Sequence, residues 1–596
     1  YGINSLSFNY NIVGENGQVQ PLQSVKIKDR SDRQTQYQYT FDISELGLKA
    51  GENVTYFFEV KDNDAVNGSK SAKTGIMSFS KPSIDDLKEQ ENENEEAIKD
   101  NLKDALENMD KLRENYKNMR EKLLQERDLD WQDKEDLEKL LEEQKKIQEK
   151  LEKAKEKFKE NLKNQEEIAE QDEEIKEKQE NLEKLFEEAT DPKVDELMEK
   201  IQELMQELEK ESALEMMEQM EMNNESMEKE MERLEELYKN LEVEKEVKDQ
   251  IEELQKLAEE QEKLAEETEK GKKPDDELKE EQEKLNEKFD ELKEKQEEIE
   301  EKNEELKSPK NLGDQNEEKM DDIQQDMEKS SEQMENQDNK GASKSQKNAA
   351  QKMQEMAGSL QSSMESGDQE QQAEDIKMIR QLLENLVTLS FDQEDLVDEF
   401  SKTKIVTPKY VDLVQEQFKL KDDFKVVEDS LTALANRNDK IESYVLDKVA
   451  EVKLNFKESL EQLEERQSAQ AADNQRRTMT NINDLALMLS ESMEDMQQSA
   501  AASMPGSQMC NKPGGKGQGK TGKVPMDKIT EGSQGMEKTL KGMQDKMGKG
   551  EKPSSKDFAQ AAARQAAMRK ALQDMQKDAK EQGKGTKELE QIINEM

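Results

Sequence analysis

Two periodicities of apolar positions divide this chain. Up to about residue 82 the period is two. Leu6, Phe8, Tyr10 and Ile12 alternate with polar residues, and so do Tyr37, Tyr39, Phe41 and Ile43, then Val54, Tyr56, Phe58 and Val60. Alternation in β-branched and aromatic residues predicts half-buried strands. Turn-forming stretches at 14–17 (GENG) and 49–53 (KAGEN) separate them. About five strands are expected over residues 1–82, as a small antiparallel sandwich of immunoglobulin-like type. That fold takes about seven strands, so its remainder is expected upstream of Tyr1.

From Ser83 the period changes. Residues 83–270 contain no glycine and one proline, Pro192. Ile98, Leu102, Ala105, Met109, Leu112, Tyr116, Met119 and Leu123 stand alternately four and three apart, the spacing of a coiled-coil seam. A second register runs through Leu137, Leu140, Ile147, Leu151, Ala154 and Phe158. Between the seams lie Glu and Lys, many paired at i,i+4. Breaks are expected at 127–131 (RDLDW), at 190–197, where Asp191 would cap a helix and Pro192 occupy its first turn, at 271–278 and at 307–313. Helices broken in this way fold back into antiparallel hairpins. Residues 83–307 therefore read as a coiled coil in broken helical segments.

Residues 308–370, rich in Gln, Ser, Asn and Met, read as a polar, partly helical linker. An apolar pattern returns over 371–500. The stretches 379–400, 410–434 and 441–463 predict three or four amphipathic helices in a bundle. A Gly/Lys-rich linker follows over 501–554, then a C-terminal helix over 555–596. The expected fold class is mainly α.

Composition agrees with narrow seams rather than broad cores. Of 596 residues only 31% are hydrophobic and 40% are charged, with a formal net charge of −52. Such acidity argues against nucleic-acid binding, which requires Lys and Arg to neutralise phosphates, and against adsorption to anionic lipid. The chain has no histidine, which excludes His-based catalytic triads and acid/base catalysis. Cys510 is its single cysteine, which excludes an internal disulfide and Cys-rich metal sites. No catalytic residues, no metal and no cofactor are expected, and no run of about 20 apolar residues provides a membrane span.

Five features bear on chemistry or contacts. Gly514, Gly519, Lys520 and Thr521 fit the phosphate-loop spacing G-x-x-x-x-G-K-T. A working loop joins a buried strand to a helix. Here no strand precedes it, and Pro525, Gly532 and Gly535 oppose a helix after it. The match reads as spurious, so no cofactor-binding role is assigned. The loop 61–70 carries Asp62, Asn63, Asp64 and Asn67, but Val66 and Asn67 stand where an EF-hand needs a ligand and a glycine. A hairpin turn is expected there. Met198, Met205, Met216, Met217, Met220, Met222, Met227 and Met231 crowd one region. Without Cys or His beside them they suit an adaptable seam or groove better than copper. Met216, Met217, Met220, Met227 and Met231 are accordingly partner-binding candidates. Between Met509 and Lys556, eleven Lys against five acidic residues give a local charge of about +6. That contrast suits either contact with an acidic surface or a solvated spacer. Trp131, at a break, is expected to anchor a hairpin by packing.

The segments 56–74 (YFFEVKDNDAVNGSKSAKT), 384–400 (ENLVTLSFDQEDLVDEF), 419–434 (KLKDDFKVVEDSLTAL) and 510–515 (CNKPGG) resemble a family of large membrane-anchored coiled-coil proteins from Bacteroidota, catalogued as a domain of unknown function and often labelled "ATPase". The resemblance covers most of the chain. It implies N-terminal membrane helices ahead of Tyr1, anchoring in the inner membrane and a periplasmic position for this region, and it supplies no established activity. The expected function is a non-catalytic scaffold or spacer of the cell envelope, with protein partners or self-association through its helices. The alternatives are a nucleotide-driven coiled-coil ATPase and a chaperone-like client-binding module using the Met-rich face.

Overall fold

The computed structural model describes residues 2–14, 16–31, 37–64, 66, 68–125, 131–168, 172–190, 210–441 and 444–503. It is mainly helical, with an N-terminal antiparallel sheet, and it divides into two units, residues 1–217 and 218–596. Each unit is described on its own.

The first unit begins with β1 (Ile3–Val13), β2 (Gln23–Ser31), β3 (Asn53–Asp62), β4 (Ser71–Lys73) and β5 (Met77–Ser80). All five belong to one sheet, in the order β2-β1-β3-β4, with β5 also pairing with β3. In the β1–β3 register Phe8 faces Phe58 and Tyr10 faces Tyr56. Their rings gather around buried Phe8, with centroids 5.3 Å (Phe58), 5.6 Å (Tyr56) and 5.7 Å (Tyr10) away. The alternating stretch Tyr37–Ile43 does not form the expected strand. It is irregular and runs into a short 3-10 helix, Ile43–Leu46. It still lays Phe41 at 4.8 Å and Tyr39 at 5.4 Å from Phe8. Alternation presents one apolar edge, and that edge can cover a sheet face without joining its ladder.

Helix α1 (Ile84–Gln125) starts at a reciprocal cap. The Ser83 hydroxyl accepts from Asp86 N–H at 3.1 Å, and the Asp86 carboxylate accepts from Ser83 N–H at 3.0 Å. Helix α2 (Trp131–Ile168) pairs with it and is followed by α3 (Glu173–Ala189). Every residue of the two predicted seams is buried. The pairing is antiparallel: Asn94 meets Asn161, Asp104 meets Lys150 and Lys122 meets Asp133. Polar groups interrupt the seam at one end. Asn94 donates to Asn161 at 2.8 Å, Asn161 donates to the Glu91 carbonyl at 3.2 Å, and Gln179 of α3 donates to Gln165 at 2.6 Å. Trp131 is 76% exposed and does not pack as an anchor. At the head of α2 the buried group is Asp133, paired with Lys122 at 2.6 Å.

The second unit holds α4 (Lys210–Lys270, which begins in the first unit), α5 (Asp275–Glu304), α6 (Asn316–Glu335), α7 (Asn339–Lys402), α8 (Pro408–Ala435), α9 (Tyr444–Glu464) and α10 (Ser468–Ser503). Gly271 and Gly313, at φ of 58° and 84°, lie in the expected breaks after α4 and α5. The stretch 308–370, read from sequence as a linker, carries α6 and the first half of α7. Its seam is built from Met320, Ile323, Met327, Met334, Ala349, Met353, Met356, Ala357 and Leu360, all buried. Alanine and methionine pack as well as leucine when helices approach closely, but they weaken the apolar signal in sequence. Helix α7 runs unbroken through residue 371, where a bundle was expected to begin. One core ends at Met364 and the next starts at Ile379 on the same helix.

Each core contains a layer of buried glutamines bonded to one another. In the first, Gln261 and Gln282 exchange hydrogen bonds of 2.8 and 3.1 Å, and Gln346 (2.9 Å) and Ser330 (3.2 Å) also donate to Gln282. In the second, Gln393 and Gln417 exchange bonds of 2.9 and 2.7 Å, and Gln475 donates to Gln417 at 2.6 Å. All six glutamines are fully buried.

Leu112→Ala should cost about 2–5 kcal/mol, because a fully buried seam side chain leaves a cavity. Trp131→Ala should stay within about 0.5 kcal/mol. Amide-exchange protection of α1 and α2 reads both.

Candidate partner-binding site

The methionine candidates lie on α4. Met217, Met220, Met227 and Met231 are buried, together with Asn224 and Leu234. These six positions continue the alternating spacing of three and four, so they form one stripe. Met216 lies on the same helix, and its side chain is outside the described residues, as are Met198 and Met205. The structure therefore brings four of the five candidates onto one buried stripe of α4.

The charged neighbours of the stripe show what closes it in the second unit. Lys453 of α9 meets Glu225 at 2.5 Å and Glu428 of α8 at 2.9 Å. Lys229 also pairs with Glu428, and Glu218 pairs with Lys457. The stretch of α4 from Glu218 to Lys229 is thus seated against α8 and α9. A void of about 30 Å³ between them, lined in part by Ser226, Thr432 and Val449, has room for about one water.

Arg233 completes the junction. It is fully buried, and it donates from Nε to the Ala435 carbonyl at 3.0 Å and from a terminal nitrogen to the Ile441 carbonyl. Ala435 is the last residue of α8, whose end carries carbonyls without intrahelical partners and a partial negative charge. A guanidinium presents donors in a rigid fork and suits two carbonyls at once. Asp375 of α7, itself buried, meets Arg437 at 2.6 Å and accepts from Asn438 at 2.8 Å. The turn between α8 and α9 is held by α4 through Arg233 and by α7 through Asp375.

The charges at this junction respond to pH. Burial pushes the Glu225 carboxyl up, but hydrogen bonding and attraction from Lys453, with Lys229, outweigh it and hold the group below its usual range. Burial pulls Lys453 down, but Glu225 and Glu428 raise it above the usual lysine range.

The other sequence candidates fare differently. In the loop after β3, Asp62 accepts from the N–H groups of Asp64 (3.3 Å) and Lys70 (2.7 Å), and Asp64 accepts from Val66 N–H at 3.0 Å. These carboxylates shape the turn between β3 and β4. Gly514, Gly519, Lys520, Thr521, Cys510, the basic stretch 509–556 and the expected helix over 555–596 lie outside the described residues, as do Asp191 and Pro192. Sequence reasoning did not find Arg233 or Asp375. The available signal for Arg233 was an arginine one residue before a seam position, and Asp375 stood in a polar stretch like its neighbours. No family model, no curated protein and no solved structure matches this chain.

Arg233→Ala should remove about 3 kcal/mol of protection from the amides of residues 435–441, since two carbonyls lose a charged donor. Arg233→Lys should restore little, because one ammonium does not span both carbonyls. Unchanged exchange would refute the clamp. The lowered Glu225 contributes stability that is present above the ordinary glutamate range and lost as pH falls through its folded value. The raised Lys453 contributes stability that is present below the ordinary lysine range and lost as pH rises through its folded value. Seating of α4 should therefore be firmest between about pH 5 and pH 10. Dipolar spectroscopy between spin labels at Asn223 and Glu451, in a Cys510→Ser background, should report a distance that broadens outside that window.

Proposed function

We propose that this chain is a non-catalytic structural scaffold or spacer of the bacterial cell envelope, holding protein partners through its paired helices and bundle surfaces. The observation that supports it most is the α1–α2 hairpin. Its buried seam extends from Leu87 to Leu123, roughly 55 Å of helix at about 1.5 Å per residue. Seam positions face the partner helix and the remaining positions carry solvated charge, so the hairpin holds two ends apart without enclosing a reaction centre. We read this pairing as an intramolecular antiparallel coiled coil, on the heptad spacing and the polar contacts that set its register. The aromatic face around Phe8 supports reading the N-terminal sheet as one layer of an immunoglobulin-like sandwich.

Placement in the envelope follows from the resemblance, which implies an anchor upstream and a periplasmic position here. The methionine face would serve partners only where the stretch Glu218 to Lys229 of α4 leaves α8 and α9. The high negative charge keeps the helices soluble and apart from nucleic acid.

Cys510 provides the test. With any other cysteines of the full protein replaced, a membrane-impermeant maleimide should label Cys510 in intact cells, and cross-linking of those cells should trap discrete higher-mass species. Labelling only after the inner membrane is opened would overturn the envelope location. A monomer with no cross-linked partner would overturn the scaffold role.

A further inference from the structure

In the helices of the second unit, the exposed large apolar side chains among the described residues are confined to one region, Val387 to Tyr444. Val387 and Phe391 stand four apart on α7. Val411, Phe418 and Val426 stand seven and eight apart on α8. These five side chains are 39–62% exposed. On α8 they lie opposite the stripe Tyr410, Leu413, Gln417, Leu420, Phe424, Val427 and Leu431, which is buried in the core. Helix α8 therefore carries large apolar side chains on a second face as well, with Asp422 and Asp429 between them, and grouped exposed apolar side chains mark an interaction surface. The ends of the two helices are joined through Phe400 and Tyr410, whose ring centroids are 5.5 Å apart, and the loop between them exposes Ile405 and Val406. Charge surrounds the outward stripe of α7. Between Glu384 and Glu399 the helix carries six acidic side chains and no basic one.

The chain itself contains a matching segment. Phe558, Ala561, Gln565, Met568, Leu572, Met575 and Ala579 stand alternately three and four apart, the spacing of a second seam. Over residues 555–580 six Lys and Arg stand against three Asp. Apolar positions at the right spacing, with basic residues between them, complement an apolar stripe with acidic flanks. The reach is sufficient. Near its end α10 accepts a hydrogen bond from Gln372 at the Met496 carbonyl, 3.0 Å long. From Gln372 to Phe391 along α7 is roughly 28 Å, at about 1.5 Å per residue. A flexible chain of 55 residues, the number from Ser503 to Phe558, would have a root-mean-square span of roughly 40 Å.

We propose that the outer face of α7 and α8, marked by Val387, Phe391, Val411, Phe418 and Val426, is the docking surface for residues 555–580 of the same chain. The inference is independent of the location and partners proposed above. Docking covers the exposed apolar side chains of α8 and places the basic segment against the acid-flanked stripe of α7.

The test introduces a photo-crosslinking amino acid at Phe418 in the full chain, irradiates a dilute mixture of isotope-labelled and unlabelled protein, and maps the products by mass spectrometry. The expected result is intramolecular cross-links into residues 555–580. Their yield should fall about tenfold in a Met568→Asp, Leu572→Asp variant, because a carboxylate is costly at an apolar seam. Mixed-isotope products would assign the face to a second copy and overturn the proposal. Cross-links that avoid 555–580, that do not form, or that persist in the double variant would overturn it as well. Unchanged helical circular dichroism of the double variant confirms that α7 and α8 stay folded in the comparison.

Discussion

The buried glutamine layers are the constraint on which the helical part of this protein depends. A seam made of Leu, Met and Ala at alternating spacing is nearly as well packed after a shift of seven residues, so apolar burial alone leaves the register degenerate. A buried amide ends that degeneracy, because any other register leaves it without partners, at about 1–3 kcal/mol per unsatisfied group. Gln282 takes partners from three other helices, and Gln417 from two. Asn94 and Asn161 do the same for the α1–α2 hairpin. A chain with only 31% hydrophobic residues has little apolar surplus, so register carried by amides is an economical arrangement.

Within the second unit the two cores are not separate domains joined by a linker. Helix α7 contributes Ala342 to Met364 to one and Ile379 to Phe400 to the other. The stretch between them holds Asp375, which grips the turn after α8. Arg233 grips the same turn from α4. A displacement of either helix therefore changes the hydrogen bonding of one turn, and that turn couples the cores mechanically. The ion pairs around Glu428 add electrostatic support that rests on both acid and base staying charged.

Much of this was legible in the residues. The seams Ile98 to Leu123 and Leu137 to Phe158 are buried at every predicted position, because a narrow apolar stripe on a long helix has one way to be hidden. The helices over 379–463 fall where the pattern put them. The seam over residues 308–370 is hard to see in the residues, because Ala, Ser and Met pack closely between helices yet resemble a polar linker in composition. Tyr37 to Ile43 was misjudged because period-two alternation reports an apolar edge and not a ladder partner. Trp131 was misjudged because size alone does not bring a side chain to a neighbour; Asp133, two residues on, is the buried one.

The methionine site divides in the same way. Its stripe from Met217 to Met231 was visible as a pattern, but whether an apolar stripe faces a partner or its own molecule depends on what folds back onto it. Here, over Glu218 to Arg233, α8 and α9 do, some 200 residues further along the chain. The sequence by itself determined the local terms: the helical period and buried side of the Leu- and Ile-rich helices, the breaks at Gly271 and Gly313, and the absence of histidine chemistry. The tertiary structure alone decided which seams meet, that α7 serves two cores, and that Arg233 and Asp375 close on one turn. Periodicity is a property of neighbours along the chain, whereas a buried charge or amide is tolerated only by partners that folding brings from far away.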